Sequence, residues 1–211
     1  MKVSRHVHRA LFERGIKSLR EIEGGIIMPE NTLGKIVTHT ASKVGQIGMV
    51  VRDAKRSAEY FSKLYNIKPW FRANLAKKEI FYNGKEIDLD AEILIGFCSG
   101  VEIELIQVNN DVENIYSDIL KKQDGGVHHI GFFISGYDSK LAAMKTLGVE
   151  PLQWGTLKTT GGAVTRFVYF DTIKTCGTIT EFIETKFLGL IMPHTQFMVK
   201  ISALTGDVTR V

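Results

Sequence analysis

The chain has 211 residues, of which 44% are hydrophobic, and it carries a formal net charge of +4. This length and composition can bury a sizeable core, either as one domain or as two small halves that share it. The basic residues are scattered and do not form a block with interleaved aromatics, which argues against nucleic-acid binding. No apolar run approaches the roughly 18 residues that cross a bilayer, so we expect no membrane association.

The first residues combine many basic side chains with an approximately helical stripe of apolar ones, formed by Val3, Val7, Leu11, Ile16 and Leu19. Interspersed glutamates are unusual for a transit peptide, so we expect a helix that packs on the body or on a second subunit. Gly24, Gly25 and Pro29 interrupt this pattern. Residues 1–42 are therefore predicted to be a helical extension followed by a connector.

The first half of the body is predicted to span residues 43–110. VGQIGMVV has the alternation of a strand and leads into a segment with helical spacing, which Asp53 is placed to cap. Turn signals then separate further predicted strands around 68–73, 79–82, 91–98 and 101–108.

The second half repeats this plan over residues 126–185. VHHIGFFI is predicted to be a strand, SKLAAMKTLG a helix that ends at Gly148, and three strands follow near 149–154, 163–170 and 177–185. Residues 186–211 form a C-terminal extension. Such a repeat predicts an α+β fold of two tandem βαβββ modules, which form a curved, cupped mixed sheet with helices on its convex face.

The two halves also match in their polar residues. Gln46 aligns with His129 at the start of each half, and Glu104 aligns with Glu181 on the last strand of each. Strand alternation puts Gln46 and His129 on the face opposite to the helices, whereas His128 is predicted to point to the other face, either as a structural residue or as an outer neighbour of the proposed ligand. A buried ionised carboxylate is costly unless it is paired or metal-bound, so Glu104 and Glu181 together with Gln46 and His129 on one concave face indicate a metal site.

These motifs resemble the vicinal oxygen chelate superfamily, which is also called the glyoxalase/bleomycin-resistance fold. The resemblance covers residues 43–185 and is greatest to methylmalonyl-CoA epimerases and glyoxalase I-like proteins, judging from VRDAKRSAEYFSKLYNIKPW, VEIELIQ and GGVHHIGFFI. It implies one divalent metal ion (Co, Mn, Zn, Ni or Mg) held by Gln46, Glu104, His129 and Glu181. Epimerases usually have His where this chain has Gln46, and the set Gln, Glu, His, Glu is similar to that of animal-type glyoxalase I.

The resemblance implies an isomerase that moves a proton alpha to a carbonyl or CoA thioester through a metal-stabilised enolate. Glu181 or Glu104 would be the catalytic base, and the sequence does not rank them. The second acid/base of an epimerase has no motif here, although Glu79, Glu86 and Glu92 lie in a suitable region.

Two alternatives remain: a lyase similar to lactoylglutathione lyase (glyoxalase I), and a non-catalytic protein of the same fold that binds a small molecule. The expected partner is a small-molecule substrate such as a CoA thioester or a glutathione adduct, and a homodimer is expected. Cys98 and Cys176 form no CxxC pair, which indicates a reducing compartment and a cytoplasmic location; both are expected to be buried.

Overall fold

A small pair of strands near the N terminus and a continuous body make up the described structure. The computed structural model describes residues 19–21, 27–29 and 44–211. Leu19–Glu21 (β1) and Ile27–Pro29 (β2) pair antiparallel in a two-stranded sheet of their own. The predicted helical extension is therefore wrong at Leu19–Glu21, where local strand pairing replaces the helical stripe. The rest of the predicted helix and connector lies outside the described residues.

The first half of the body begins with a strand and a helix, as predicted. Asp53 caps the helix, because its side chain accepts a hydrogen bond from the Arg56 backbone N–H at 2.8 Å. The elements are β3 (Gln46–Val51), α1 (Ala54–Tyr65), β4 (Phe71–Ala73), β5 (Leu75–Tyr82), β6 (Lys85–Ile87), β7 (Ala91–Cys98) and β8 (Val101–Val108).

The second half repeats the initial strand and long helix of the first and ends in a C-terminal segment that returns to the first half. Its elements are α2 (Ser117–Lys122), β9 (Gly125–Phe133), α3 (Tyr137–Thr146), β10 (Pro151–Thr159), β11 (Val164–Phe170), α4 (Ile173–Cys176) and β12 (Ile179–Phe187). β13 (Leu190–Ile191), α5 (Gln196–Thr205) and β14 (Val208–Arg210) follow, and β14 pairs with β4.

All strands of the body belong to one mixed sheet that curls into a half-barrel. Its order is β14-β4-β7-β8-β3-β9-β12-β11-β10-β5-β6, with β13 attached to β12. The two halves meet through the antiparallel pair β3–β9, and each of these strands is parallel to the last strand of its own half. The predicted α+β fold with a curved sheet is thus confirmed.

One connection departs from two simple βαβββ modules. β4 pairs with β7 of its own half, but β5, which follows after Asn74 alone, pairs with β10 of the other half. The connection from β4 to β5 therefore joins the two ends of the sheet, and the hairpin β5–β6 forms the edge next to β10. Asn74 is held on both sides, because its N–H donates to the Asp207 carbonyl and its carbonyl accepts from Thr160 N–H, each at 2.9 Å.

The two long helices cover separate cores on the outer face of the sheet. α1 packs through Ala54 and Ala58 on Leu94 and Leu105, and Ile47, Met49 and Val51 join this cluster, as the alternation of β3 predicts. α3 packs on the second half around Phe170 and Phe182.

Both cysteines are exposed, so the prediction that they are buried is wrong. Cys98 is the last residue of β7, just before the turn at Ser99 and Gly100, and Cys176 ends α4 at Gly177. Their apolar character did not place them in the core, because each is the last residue of a strand or helix and lies next to a turn at the surface. None of the helices in the described residues combines the length and apolarity needed to traverse a bilayer.

Candidate metal centre

The Ile-Gly motif that occurs in both halves makes room for the polar residue of the opposite half. In the antiparallel pair β3–β9, Gln46 lies opposite Gly131 and Gly48 lies opposite His129. A Cβ atom on Gly48 would collide with the His129 ring, and one on Gly131 would stand 2.6 Å from Gln46 Oε1. Each glycine thus allows the side chain across from it to lie flat on the sheet.

The structure brings all four predicted ligands together. One ligand atom each from Glu104, His129 and Glu181 lies within 4.8 Å of the others. His129 Nε2 is 3.0 Å from Glu181 Oε2, 3.5 Å from Glu104 Oε2 and 3.1 Å from Gln46 Oε1. The nitrogen therefore faces three oxygens from three different strands, as ligands around a common ion do.

Two of these oxygens have no hydrogen-bond partner. Glu104 Oε2 and Glu181 Oε2 are buried and unpaired among the described residues, and Glu104 and Glu181 are only 9% and 4% exposed. Leaving a buried carboxylate oxygen unpaired costs several kcal/mol unless a cation or a proton compensates it. The donor set of three oxygens and one imidazole nitrogen suits a divalent ion, so the residues present fit a metal.

The pKa values of the ligands show the cost of holding them together without a cation. Burial raises the pKa of Glu181 to about 8, an effect that the Tyr169 hydroxyl opposes by hydrogen bonding and Glu102 reinforces by its charge. Burial and then the charge of Glu181 raise the pKa of Glu104 well above its usual value. Burial lowers the pKa of His129 to about 3, which keeps the imidazole neutral and able to bind a metal.

His128 does not point away from the site, so this prediction from strand alternation is wrong. The register shifts between Gly48 and Met49, which pair with His129 and Val127, and leaves His128 as an extra residue in a β-bulge. Its side chain therefore turns inward, with its Nδ1 at 3.1 Å from His129 Nδ1 and its Nε2 at 3.3 Å from the Ile115 carbonyl.

These two contacts assign the tautomers of both histidines. The Ile115 carbonyl can only accept, so His128 carries its proton on Nε2 and accepts at Nδ1. His129 must then donate from Nδ1, which leaves a lone pair on its Nε2 facing the three oxygens. An outer partner that fixes the tautomer of a ligand in this way is typical of metal sites in proteins.

Two site residues were missed in the sequence. Glu102, which is 1% exposed, accepts from Gln46 Nε2 at 2.8 Å and contacts His194 Nδ1 at 3.3 Å. His194 comes from the C-terminal segment, stacks on Phe133 with a centroid distance of 4.0 Å, and lies 2.7 Å from Thr185 Oγ1. Alternation along β8 puts Glu102 on the same face as Glu104, so the sequence could have predicted that Glu102 lies near the site. His194 lies outside the repeat, and no sequence pattern connects it with the site.

The ligands open into a cavity of about 680 Å³ inside the curled sheet. Of the three glutamates considered for a second acid/base, Glu92 lines this cavity, where it pairs with Arg72 at 3.7 Å. Glu79 pairs with Lys77 at 2.6 Å, and neither it nor Glu86 is among the lining residues. Burial raises the pKa of Tyr116 and Tyr169, whose hydroxyls lie 3.0 Å apart in the cavity wall.

Sequence comparison identifies the family. Residues 45–170 match the family model described as the Glyoxalase/Bleomycin resistance protein/Dioxygenase superfamily. The chain belongs to this superfamily, as its repeated motifs and curled sheet indicated. A comparison with curated protein sequences found no significant match.

Solved structures show the same fold at low sequence identity. A hypothetical protein from Bacillus halodurans C-125 aligns with a TM-score of 0.52 and 18% identity, over 69% of this chain and 95% of that one. A variant of Streptomyces coelicolor methylmalonyl-CoA epimerase in complex with 2-nitronate-propionyl-CoA aligns with a TM-score of 0.50 and 16% identity, over 73% and 100%. Methylmalonyl-CoA epimerase from Mycobacterium tuberculosis gives 0.49 and 15%, over 69% and 89%. At these identities the first two similarities establish the fold alone.

Proposed function

We propose that the protein is a divalent-metal-dependent isomerase that moves a proton alpha to a carbonyl or CoA thioester, in the manner of an epimerase. The observation that carries this proposal is the convergence of Gln46, Glu104, His129 and Glu181, with two unpaired carboxylate oxygens, at the base of a cavity. A bound divalent ion would act as a Lewis acid on substrate oxygens and so acidify the adjacent C–H.

The protein's own residues would hold the substrate and move the proton. Glu181 and Glu104 each present a buried carboxylate toward the substrate side of the cluster, and either can accept the proton and return it. Tyr169 lies opposite Glu181 on the neighbouring strand β11, and its hydroxyl pairs with that of Tyr116 in the cavity wall. Apolar side chains of the cavity wall, such as Ile106 and Ile183, would limit water beside the reacting carbon and so strengthen electrostatic interactions there.

A lyase of the glyoxalase I type is the second candidate, and Gln46 favours it. Its amide oxygen faces the cluster because its Nε2 donates to Glu102, so this side chain supplies the neutral oxygen of the set Gln, Glu, His, Glu. Both reactions begin by removing a proton next to a carbonyl, so the same carboxylates would serve. The predicted homodimer and cytoplasmic location belong to this proposal as well.

Proton exchange in deuterated water tests the proposal and separates the two candidates. The Mn²⁺-loaded protein is incubated with methylmalonyl-CoA or with the hemithioacetal of methylglyoxal and glutathione, and deuterium at the acidic carbon is followed by NMR. An epimerase incorporates deuterium into methylmalonyl-CoA, whereas a glyoxalase converts the hemithioacetal to a thioester.

Glu181→Gln and Glu104→Gln identify the catalytic base. The variant that removes the base should lower the exchange rate by about 10²- to 10⁴-fold. Glu79→Gln, which changes a glutamate that faces away from the cavity, is the matched control and should exchange like the unchanged protein. Turnover of neither substrate by the metal-loaded protein, with metal binding intact, would instead support the non-catalytic binding alternative.

A further inference from the structure

We propose that Gln153 is a second anchor in the cavity, which donates a hydrogen bond from its side-chain amide to a carbonyl-type oxygen of the ligand. This assignment defines the substrate class further: beyond the oxygens that reach the metal centre, the ligand carries one more hydrogen-bond acceptor. It rests on the proposed function, since the metal centre holds the other end of the ligand.

The Gln153 amide has one satisfied end and one free end. Its side chain is fully buried, and its Oε1 accepts from the Ile115 backbone N–H at 3.1 Å. This contact fixes the amide orientation, because an N–H can only be met by the oxygen. Gln153 Nε2 is left as a buried donor without a partner among the described residues. An unpaired buried donor costs roughly 1–3 kcal/mol, so a site that retains one indicates an acceptor supplied from outside the chain.

The position of Gln153 on the sheet aligns this donor with the metal centre. Gln153 pairs with Tyr169, and Tyr169 pairs with Glu181, so the three side chains form a row on the cavity face. The next residue, Trp154, points to the other face and packs with the core under α3. Adjacent strands are about 4.8 Å apart, so Gln153 lies roughly 10 Å from Glu181, measured between backbones across the row.

The surroundings of Gln153 favour a neutral acceptor. Ile80, Leu157 and Phe167 provide apolar wall around it, and the Tyr116 and Tyr169 hydroxyls contact each other. The cations that line the same cavity are already paired, as Arg72 is with Glu92 and Lys78 with Asp88. A ketone, amide or ester carbonyl therefore suits this end of the cavity better than a phosphate, which would need an unpaired cation.

Matched chelators test the anchor without requiring turnover. Alkyl hydroxamates of graded length bind a divalent ion at one end and carry at the other end either a methyl ketone or the isosteric alkene, which lacks the oxygen. Their affinities for the Mn²⁺-loaded full chain are measured by calorimetry. At the chain length that spans the row, the ketone should bind about three- to tenfold more tightly than the alkene, the advantage of one hydrogen bond.

Two variants assign that advantage to Gln153. Gln153→Met should abolish the preference for the ketone, whereas Gln123→Met, at an exposed glutamine, should keep it. If Gln153→Met does not fold, the comparison of ketone and alkene in the unchanged protein still tests the anchor, because it needs no variant. Equal affinity for ketone and alkene in the unchanged protein at every length, with chelation intact, would overturn the anchor alone. Failure of every hydroxamate to bind the metal-loaded protein would overturn the proposed function and this anchor with it.

Discussion

Glu102 holds the Gln46 amide in the orientation that a metal ligand needs. By accepting from Gln46 Nε2, it directs the amide oxygen toward His129 and the two carboxylates. His194 contacts the other Glu102 oxygen and thereby connects the C-terminal segment to the ligands. Outer partners of this kind are worth about 10- to 100-fold in metal affinity.

Glu102→Ala should therefore lower the affinity for Mn²⁺ by roughly 10- to 100-fold, measured by calorimetry. Glu102→Gln removes the charge but can keep an oxygen for Gln46, so it should retain more affinity than the alanine variant. Glu79→Ala changes an exposed, paired glutamate and should bind Mn²⁺ as the unchanged protein does. Unaltered affinity in Glu102→Ala would contradict the orienting role.

At the residue scale, internal repetition predicted the members of the cluster but not their supports. Gln46, Glu104, His129 and Glu181 occupy matched positions in two similar halves, so alignment of the chain with itself was sufficient to select them. His128 contacts His129 because a β-bulge turns its side chain inward. The loop that carries Ile115 orients the Gln153 amide, and His194 comes from the C-terminal segment. These contacts arise only from the tertiary structure, and no local pattern encodes them.

The C-terminal segment is fastened to the sheet through Asp207. This carboxylate, which is 4% exposed, accepts from the hydroxyls of Thr159 and Thr205 and from the Ala163 N–H. Burial alone would raise the pKa of Asp207, but these hydrogen bonds outweigh it and lower the pKa. The end of α5 is thereby held against the β10–β11 turn.

Asp207→Ala should reduce the free energy of unfolding by on the order of 1–3 kcal/mol, because it leaves the Ala163 N–H without its acceptor. The Thr159 and Thr205 hydroxyls lose their bonds to the carboxylate but can still donate to the Ala163 and Ser202 carbonyls. Chemical denaturation measures this loss. Asp111→Ala, which removes an exposed carboxylate, is the control and should change the free energy by no more than about 0.5 kcal/mol. A loss as small as that of the control would show that Asp207 does not fasten the segment.

At the element scale, the strands and helices of the repeat followed from periodicity and capping. Asp53 marked the start of α1, and the alternation of β3 identified its helix-covered face. The crossing from β4 to β5 was not predictable, because the two strands are one extended stretch of chain and only their partners differ. Pairing over such distances depends on how the halves curl together.

The molecule as a whole should respond to pH through the metal ligands. Without a cation, the folded state keeps a proton on Glu181 up to about pH 8, whereas an unfolded glutamate loses it near 4.5. Folding is therefore favoured less as pH rises through this window. His128 and His129, with folded pKa values of about 3, act in the opposite direction, but only below their ordinary value of 6.5.

The metal-free protein should consequently lose stability between pH 6.5 and 8, by on the order of 1 kcal/mol per pH unit for each such carboxyl. Calorimetric Tm values at constant ionic strength measure this loss. Glu181→Gln should flatten the profile, and saturating Mn²⁺ should raise Tm most at the high-pH end, because binding requires the ionised carboxylates. A Tm of the metal-free protein that rises over this interval would contradict the assignment.

The most direct test of the account is the anomalous difference map of a crystal of this protein grown with Mn²⁺. The account predicts one strong peak about 2.0–2.3 Å from Gln46 Oε1, His129 Nε2 and one carboxylate oxygen each of Glu104 and Glu181. A map without a peak at this cluster, under conditions in which the crystal contains Mn²⁺, would contradict the central claim that these four side chains hold a divalent cation.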